Sequence, residues 1–318
     1  MQRLTLAGGI PDDLKGSIVA LGNFDGFHLG HQAVVGRAIQ RGFHERRPAI
    51  VATFDPHPVR YFKPDLPPFR LTTLDQREAL FAHAGADAML VFEFGEELRS
   101  TSAEDFVTKL LGERIGAAGV VTGDDFTFGK MRGGNVDVLR TVGAEQGIVA
   151  EAVAPVLLDG ERISSGRIRE ALQAGGTATA THLLSRDFAI EGVVQAGDRR
   201  GRELGYPTAN MELGDYLRPR YGIYAVRMTL DDGSEHPGVA SLGVRPTFDP
   251  PKELLETHLF DFDGDLYGRK AEVALHAFIR EEKKFDDVEA LVEHMRNDEA
   301  HARHLLALDY LANLQSDD

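Results

Sequence analysis

Apolar residues fall in two rhythms along the chain. From 17 to about 175, short β-branched runs at 17–21, 49–54, 88–92, 119–122 and 148–153 alternate with longer stretches of helical periodicity. Strands alternating with helices of this length predict an α/β fold built on a parallel sheet, with right-handed crossovers and a ligand site at the carboxyl edge of the strands. The helix expected to begin near Ser165 is followed at 174–181 by small Gly, Thr and Ala residues, a composition that suits a linker and divides the chain into domains 1–182 and 183–318. Beyond it the rhythm changes. Strand follows strand at 188–194, 223–230, 238–242, 256–260 and 272–279, and only one long helical pattern, 286 to about 314, comes after them. That order predicts an antiparallel β-barrel or sandwich with a closing helix.

Composition sets limits on the chemistry. A chain of 318 residues with 42% hydrophobic content has enough apolar material for two ordinary cores at about 150 residues each. No apolar run reaches the ~18 residues of a spanning helix, and Met1-Gln2-Arg3-Leu4-Thr5 lacks the core of a signal peptide. The expectation is a cytoplasmic protein with no membrane partner. With no cysteine, disulfides, thiolate nucleophiles and cysteine-ligated zinc are excluded, and any metal must bind oxygen or imidazole. A formal charge of −15 argues against a nucleic-acid partner, though a local basic patch still suits a small phosphorylated ligand. None of these numbers sets an oligomeric state.

The first apolar run leads into Gly22-Asn23-Phe24-Asp25-Gly26-Phe27-His28-Leu29-Gly30-His31, where a strand is expected to give way to a helix. A helix start offers unpaired N–H groups and the positive end of the macrodipole, and glycines let backbone approach a bulky anion. Two imidazoles there can hydrogen-bond phosphate oxygens that gain charge during reaction. The string resembles the His-x-Gly-His signature of nucleotidyltransferases; four residues recur by chance, but their place between strand and helix is what the chemistry requires. Three further loops fall at strand ends or a helix start: Thr53-Phe54-Asp55-Pro56-His57-Pro58, Gly123-Asp124-Asp125-Phe126-Thr127-Phe128-Gly129-Lys130, and Arg162-Ile163-Ser164-Ser165-Gly166-Arg167-Ile168-Arg169. Singly each has a plain structural reading as turn, solvated acid pair or serine cap. Together they would converge on one sheet edge.

In the second half, Gly197-Asp198-Arg199-Arg200-Gly201-Arg202-Glu203-Leu204-Gly205-Tyr206-Pro207-Thr208-Ala209-Asn210 is neither a Walker loop nor a GxGxxG turn. Glycines every fourth residue with interleaved arginines suit a polyphosphate, and Thr208 and Asn210 are hard oxygen donors of the kind Mg²⁺ prefers. Downstream lie Gly238-Val239-Ala240-Ser241-Leu242-Gly243 and Leu255-Glu256-Thr257-His258-Leu259-Phe260. Asp261, Asp263, Asp265 and Glu272 have calcium-loop spacing, but Leu266 stands where that loop needs glycine, so a calcium site is rejected. His294, His301 and His304 read as a helix face, not a metal site.

Taken with these strings, the chain resembles the bacterial bifunctional riboflavin kinase/FMN adenylyltransferases, or FAD synthetases, over nearly its whole length. The resemblance implies an N-terminal Rossmann-like nucleotidyltransferase domain and a C-terminal riboflavin kinase-like barrel. It implies ATP as co-substrate, Mg²⁺ as cofactor, riboflavin, FMN and FAD as flavin ligands, and ADP and pyrophosphate as products. By resemblance His28 and His31 act on the ATP phosphates within the loop of Gly22, Asn23 and Gly30, with Arg162, Ser164, Ser165 and Arg169 on the pyrophosphate side. Pro56, Pro58, Phe62, Asp125 and Phe128 fall where the family cradles the flavin. In the kinase half Gly197, Gly201 and Gly205 face ATP, Thr208 and Asn210 hold the metal, and Glu256 is the base that receives the proton of the attacking hydroxyl. Two departures are visible: Gly166 where the family usually has threonine, and Ser241 where many relatives have asparagine. A flavin- or nucleotide-binding regulator without catalysis, and an enzyme with one active domain, are the competing readings.

Overall fold

The computed structural model of the protein describes residues 1–196, 204–245, 252–285 and 287–316. The chain forms two compact units, one of 1–67 and 72–165, the other of 68–71 and 166–318.

The first unit is built on six strands, β1 (Gln2–Thr5), β2 (Ile18–Leu21), β3 (Ala49–Asp55), β4 (Ala88–Glu93), β5 (Gly119–Gly123) and β6 (Val149–Val153), in the order β1-β4-β3-β2-β5-β6, every neighbouring pair parallel. Helices α1 (Leu29–Glu45), α2 (Pro58–Phe62), α3 (Leu74–His83), α4 (Glu96–Ser100), α5 (Ala103–Asp105, continued by a π-helical segment Phe106–Ile115) and α6 (Val136–Glu145) connect them. The five anticipated strands are present. β1 escaped the pattern because as an edge strand it is mostly exposed and carries no apolar run. Alternate residues along the strands bury opposite faces, as a sheet covered on both sides demands. Val19, Leu21, Ile50, Leu90 and Val120 face Phe106, Leu111 and Leu139, whereas Ile18, Ala20, Val51, Met89 and Val121 face Val34, Val35 and Phe81. Strand order reverses between β2 and β5, so the loops leaving their carboxyl ends flank the crevice where such sheets take ligands. A short hairpin, β7 (Leu157–Leu158) with β8 (Glu161–Arg162), follows.

Two helices, α7 (Ser165–Gln173) and α8 (Thr177–Leu184), come next. The linker reading of 174–181 is corrected here. Thr177, Ala180, Leu183 and Leu184 line one side of α8 and are buried, an apolar stripe at helical spacing that the small-residue composition had masked. Apart from Ser165, both helices fold with the second unit.

That unit's sheet comprises β9 (Phe188–Val193), β10 (Ala209–Glu212), β11 (Gly222–Leu230), β12 (Glu235–Arg245), β13 (Lys252–Leu259) and β14 (Lys270–Arg280), ordered β10-β13-β12-β11-β14-β9 and antiparallel throughout. A bridge between Gln195 and Asn210 draws the two ends together into a nearly closed barrel. Its interior holds Ile190, Met211, Tyr224, Leu242, Leu255 and Val273, all fully buried. The final helix, α9 (Val288–Ser316), sets Ala302 and Leu306 on an apolar patch of Ala225 and Phe260. The four-residue β10 was not anticipated; its residues were read only as part of the Pro-Thr-Ala-Asn string.

The end of α8 is fastened to β14 by one carboxylate. Asp187 accepts from the Thr181 hydroxyl at 2.7 Å and pairs with His276 Nδ1 at 3.0 Å, with Asp309 and Arg227 also near the ring. The Asp187 hydrogen bond raises the His276 pKa above its ordinary 6.5, against an opposing contribution from burial. A raised folded pKa gives stability that is complete below the unfolded value and is lost as pH climbs through the folded one. His276→Gln should therefore lower the melting temperature most below about pH 6.5, with the gap to the parent narrowing as pH rises. Melting curves of the two proteins across that range check it; a gap that widens with rising pH contradicts the assignment.

Candidate active sites

The first site grows from the β2–α1 junction. Phe24 and Phe27 are buried and both meet Phe81 edge-on, at 5.8 and 5.0 Å. They anchor the loop at positive φ, 50° and 42°, a conformation costly for bulky residues and characteristic of functional loops. Gly22 makes room for this, since a Cβ there would lie 2.9 Å from the Phe24 ring. Thrown to the sheet edge, His28 becomes the N-cap of α1: its Nδ1 accepts from the His31 amide at 3.3 Å. In the neutral ring the hydrogen is therefore on Nε2. The two imidazoles stack, centroids 3.6 Å apart and planes within 17°, and His28 is only 5% exposed. Gly30 permits the fold-back, because its Cβ would meet the His28 ring at 3.1 Å.

Several residues brace this loop. Asp25 is buried and accepts from the Thr72 amide at 3.0 Å, while its own carbonyl accepts from the Ser165 hydroxyl at 2.9 Å. Buried Arg77 donates to Thr53 Oγ1 at 2.8 Å and to the Asn23 carbonyl at 3.2 Å. Arg77 was missed in the sequence, yet a signal existed: it falls four residues before Phe81, in the apolar stripe of α3, where a lone charge is out of place. The Asn23 side-chain oxygen is buried and, among the described residues, makes no hydrogen bond.

The expected flavin-side residues are distributed around the same edge. Pro56 follows a cis peptide, and Pro58 opens α2 behind the cap His57. Phe62, 57% exposed, forms an aromatic trio with Tyr61 and Phe94 at 5.4 and 5.8 Å. Phe128 is 6% exposed and packs on Phe106 at 5.1 Å, with half-buried Phe126 stacked upon it. Asp125 pairs with Arg162 at 2.7 Å, joining a residue expected at the flavin to one expected at pyrophosphate. Ser164 is half-buried just before α7. Arg169, within α7, donates to the Phe69 carbonyl at 2.8 Å and lies 5.2 Å over that ring, contacts internal to the second unit. Tyr61, Phe94 and Phe126 were not singled out in the sequence, where aromatics of this spacing look like ordinary core.

The second site lies across three barrel strands. Register places Asn210 of β10 opposite Glu256 of β13, and Glu256 opposite Ser241 of β12, so all three share one face. Asn210 is 6% exposed, and its Oδ1 is buried without a hydrogen bond among the described residues. Such an orphan costs free energy unless something binds it. Half-buried Glu256 presents a carboxylate in the next position, and Ser241 Oγ donates to Glu282 at 3.3 Å. A Cβ on Gly243 would collide with that carboxylate at 2.4 Å, so the glycine seats Glu282 beside the row. Thr208 is half-buried immediately before β10, and Gly205 takes φ +84°. Gly197 and Gly201 lie outside the described residues.

Among the described residues no group of three or more His, Cys, Asp or Glu is placed to hold a metal ion. Asp261 is instead forked by Arg303 at 2.7 and 3.1 Å, and the Asp265 side chain caps the Tyr267 amide at 3.0 Å.

Comparison with known proteins follows the same division. The FAD synthetase family model matches residues 10–167 and the riboflavin kinase family model residues 184–306. The bifunctional riboflavin kinase/FMN adenylyltransferase of Pseudomonas fluorescens is 42% identical over 92% of this chain and 94% of its own length; that of Escherichia coli (strain K12) is 36% identical over the same shares. A crystal structure of a protein named macrolide-efflux protein from Streptococcus pneumoniae matches with TM-score 0.85 at 29% identity, over 95% of this chain and 99% of that one. That name belongs to that protein; among the described residues no helix here is long and apolar enough to cross a membrane. Matched in order by both family models and by near full-length relatives, the chain belongs to the bifunctional riboflavin kinase/FMN adenylyltransferase family.

Proposed function

We propose that the chain makes flavin cofactors in two ATP-dependent steps: riboflavin is phosphorylated to FMN by residues 183–318, and FMN is adenylylated to FAD, with release of pyrophosphate, by residues 1–182. The observation carrying this is the pair of family matches, one on the parallel sheet and one on the barrel. Use of ATP in both steps fits the expected cytoplasmic location.

In adenylylation the FMN phosphate oxygen attacks the α-phosphorus of ATP while the bond to the β-phosphate oxygen breaks. His28, His31 and the amides opening α1 neutralise the charge that builds on the phosphate oxygens, with Gly22, Asn23 and Gly30 shaping their approach. Arg162, Ser164, Ser165 and Arg169 take the departing pyrophosphate. Pro56, Pro58, Phe62, Asp125 and Phe128 receive the flavin, joined by Tyr61, Phe94 and Phe126 as flat apolar surface. No covalent enzyme intermediate is required.

In phosphorylation Glu256 orients the terminal hydroxyl of riboflavin and accepts its proton as the oxygen attacks the γ-phosphorus of ATP and ADP leaves. Gly205 is assigned to the polyphosphate, as are Gly197 and Gly201 from the sequence motif alone. The Asn210 Oδ1, buried and without a hydrogen bond among the described residues, fits a hard cation, and Thr208 and Asn210 would hold Mg²⁺. When bound it supplies charge neutralisation at the phosphate oxygens. Riboflavin with Mg-ATP, followed by chromatography, tests the whole reading: FMN should rise first and FAD after it. Product stopping at FMN confines activity to the barrel, and no product returns the chain to a binding role.

A further inference from the structure

The turn that carries Thr208 and leads into Asn210 of β10 is held by a histidine. His258 stands on β13 two residues beyond Glu256, and therefore on the same face of the strand. Its Nδ1 lies 2.9 Å from the Pro207 carbonyl oxygen. A carbonyl only accepts, so Nδ1 carries the hydrogen and donates it. The same ring meets Tyr206 at 4.9 Å with planes 61° apart. Tyr206 is itself buried, and its hydroxyl reaches Glu299 and Arg296 of α9. Arg303 of that helix completes the support, with its guanidinium 4.3 Å over the Phe260 ring and its Nε on Glu299 at 2.9 Å. Tyr206 thus bridges His258 and the final helix, and Pro207 is tied to the same histidine through its carbonyl. The ladder of β10 with β13 begins only at Ala209, opposite Thr257. Before that point the Pro207 carbonyl is a fixed handle on the turn.

We propose that His258 is a positioning residue for riboflavin phosphorylation, holding the 206–208 turn by its bond to Pro207 so that Thr208 and Asn210 face Glu256. This rests on the reading of Asn210 and Glu256 given above. It differs from a packing role in one respect: what matters is a donor at the Nδ1 position. An asparagine amide places an N–H there, a glutamine amide places it one atom farther out, and alanine has none.

The test uses the full chain in four forms, parent, His258→Ala, His258→Gln and His258→Asn, with Asn210→Ala beside them. Hydrogen exchange of residues 204–212 is followed by mass spectrometry, and riboflavin phosphorylation is measured with Mg-ATP varied. In the Ala and Gln forms exchange across 204–212 should quicken about tenfold and KM for Mg-ATP should rise about tenfold, the scale of one hydrogen bond. KM for riboflavin should stay at the parental value. His258→Asn should restore both readouts to within about threefold. Conversion of supplied FMN to FAD should be parental throughout because its residues lie on the other sheet, and the unchanged KM for riboflavin reports an intact barrel. Parental exchange and KM in His258→Ala, or an Asn form no better than the Ala form, overturns the proposal. If Asn210→Ala also phosphorylates riboflavin at the parental rate, the site itself is misassigned; if only the His258 forms are neutral, the clamp alone fails.

Discussion

His28→Ala and His31→Ala should remove FAD synthesis, by about 100-fold or more, while riboflavin phosphorylation continues and FMN accumulates. The expectation follows from where the two rings stand. They stack at 3.6 Å over the first turn of α1, where helix amides and imidazole donors converge on any phosphate that enters the β2–α1 loop. Phosphorylation is spared because its residues lie on a different sheet. His28 also caps α1, and loss of a cap costs about 1 kcal/mol, so alanine alone mixes two effects. His28→Asn separates them, since asparagine is among the best caps and has no imidazole. It should melt close to the parent and still fail to make FAD. Timed chromatography of FMN and FAD with thermal melting decides the matter; FAD at the parental rate in His31→Ala or His28→Asn would remove both rings from the chemistry.

Legibility in the sequence tracked the strength of the physical signal at each element. Strands buried on both faces, such as 49–55 and 88–93, announce themselves as continuous β-branched runs, and the four interior strands of the parallel sheet, with the edge strand at 149–153, fall within a residue or two of the expected bounds. The exposed edge strand at 2–5 and the four-residue strand at 209–212 carry no such run. Helix α8 was hidden by composition, for Thr and Ala read as linker until Ala180, Leu183 and Leu184 are seen to share a side. Among site residues, motifs with unusual chemistry were visible: paired histidines before a helix, and Pro-Thr-Ala-Asn. What supports them was not. Arg77 acts by donating to the Asn23 carbonyl, and His258 by donating to the Pro207 carbonyl. A bond to main chain leaves no mark on its partner's side chain, so a sequence shows at most the donor, as it does for Arg77, a charge out of place in the apolar stripe of α3.

Asn210→Ala and Glu256→Gln should abolish FMN formation from riboflavin and leave the conversion of supplied FMN to FAD intact. For Glu256→Gln the amide cannot accept the hydroxyl proton, and loss of a positioned base removes about 10² to 10⁴ in rate. The isosteric change keeps the row across β10, β13 and β12, so the barrel should melt as before. Asn210→Ala makes a sharper test, because its two consequences point in opposite directions. The Asn210 Oδ1 is buried with no partner among the described residues, and an orphan of this kind costs about 1–3 kcal/mol. Alanine removes that cost at the expense of a small loss of packing, so the variant should melt no lower than the parent even as phosphorylation fails. A residue kept for structure would show the reverse, with stability falling and catalysis following it. Calorimetric melting and initial rates of FMN formation, measured on one preparation, distinguish the two. A variant that melts well below the parent, or one that phosphorylates riboflavin at the parental rate, would take Asn210 out of the site.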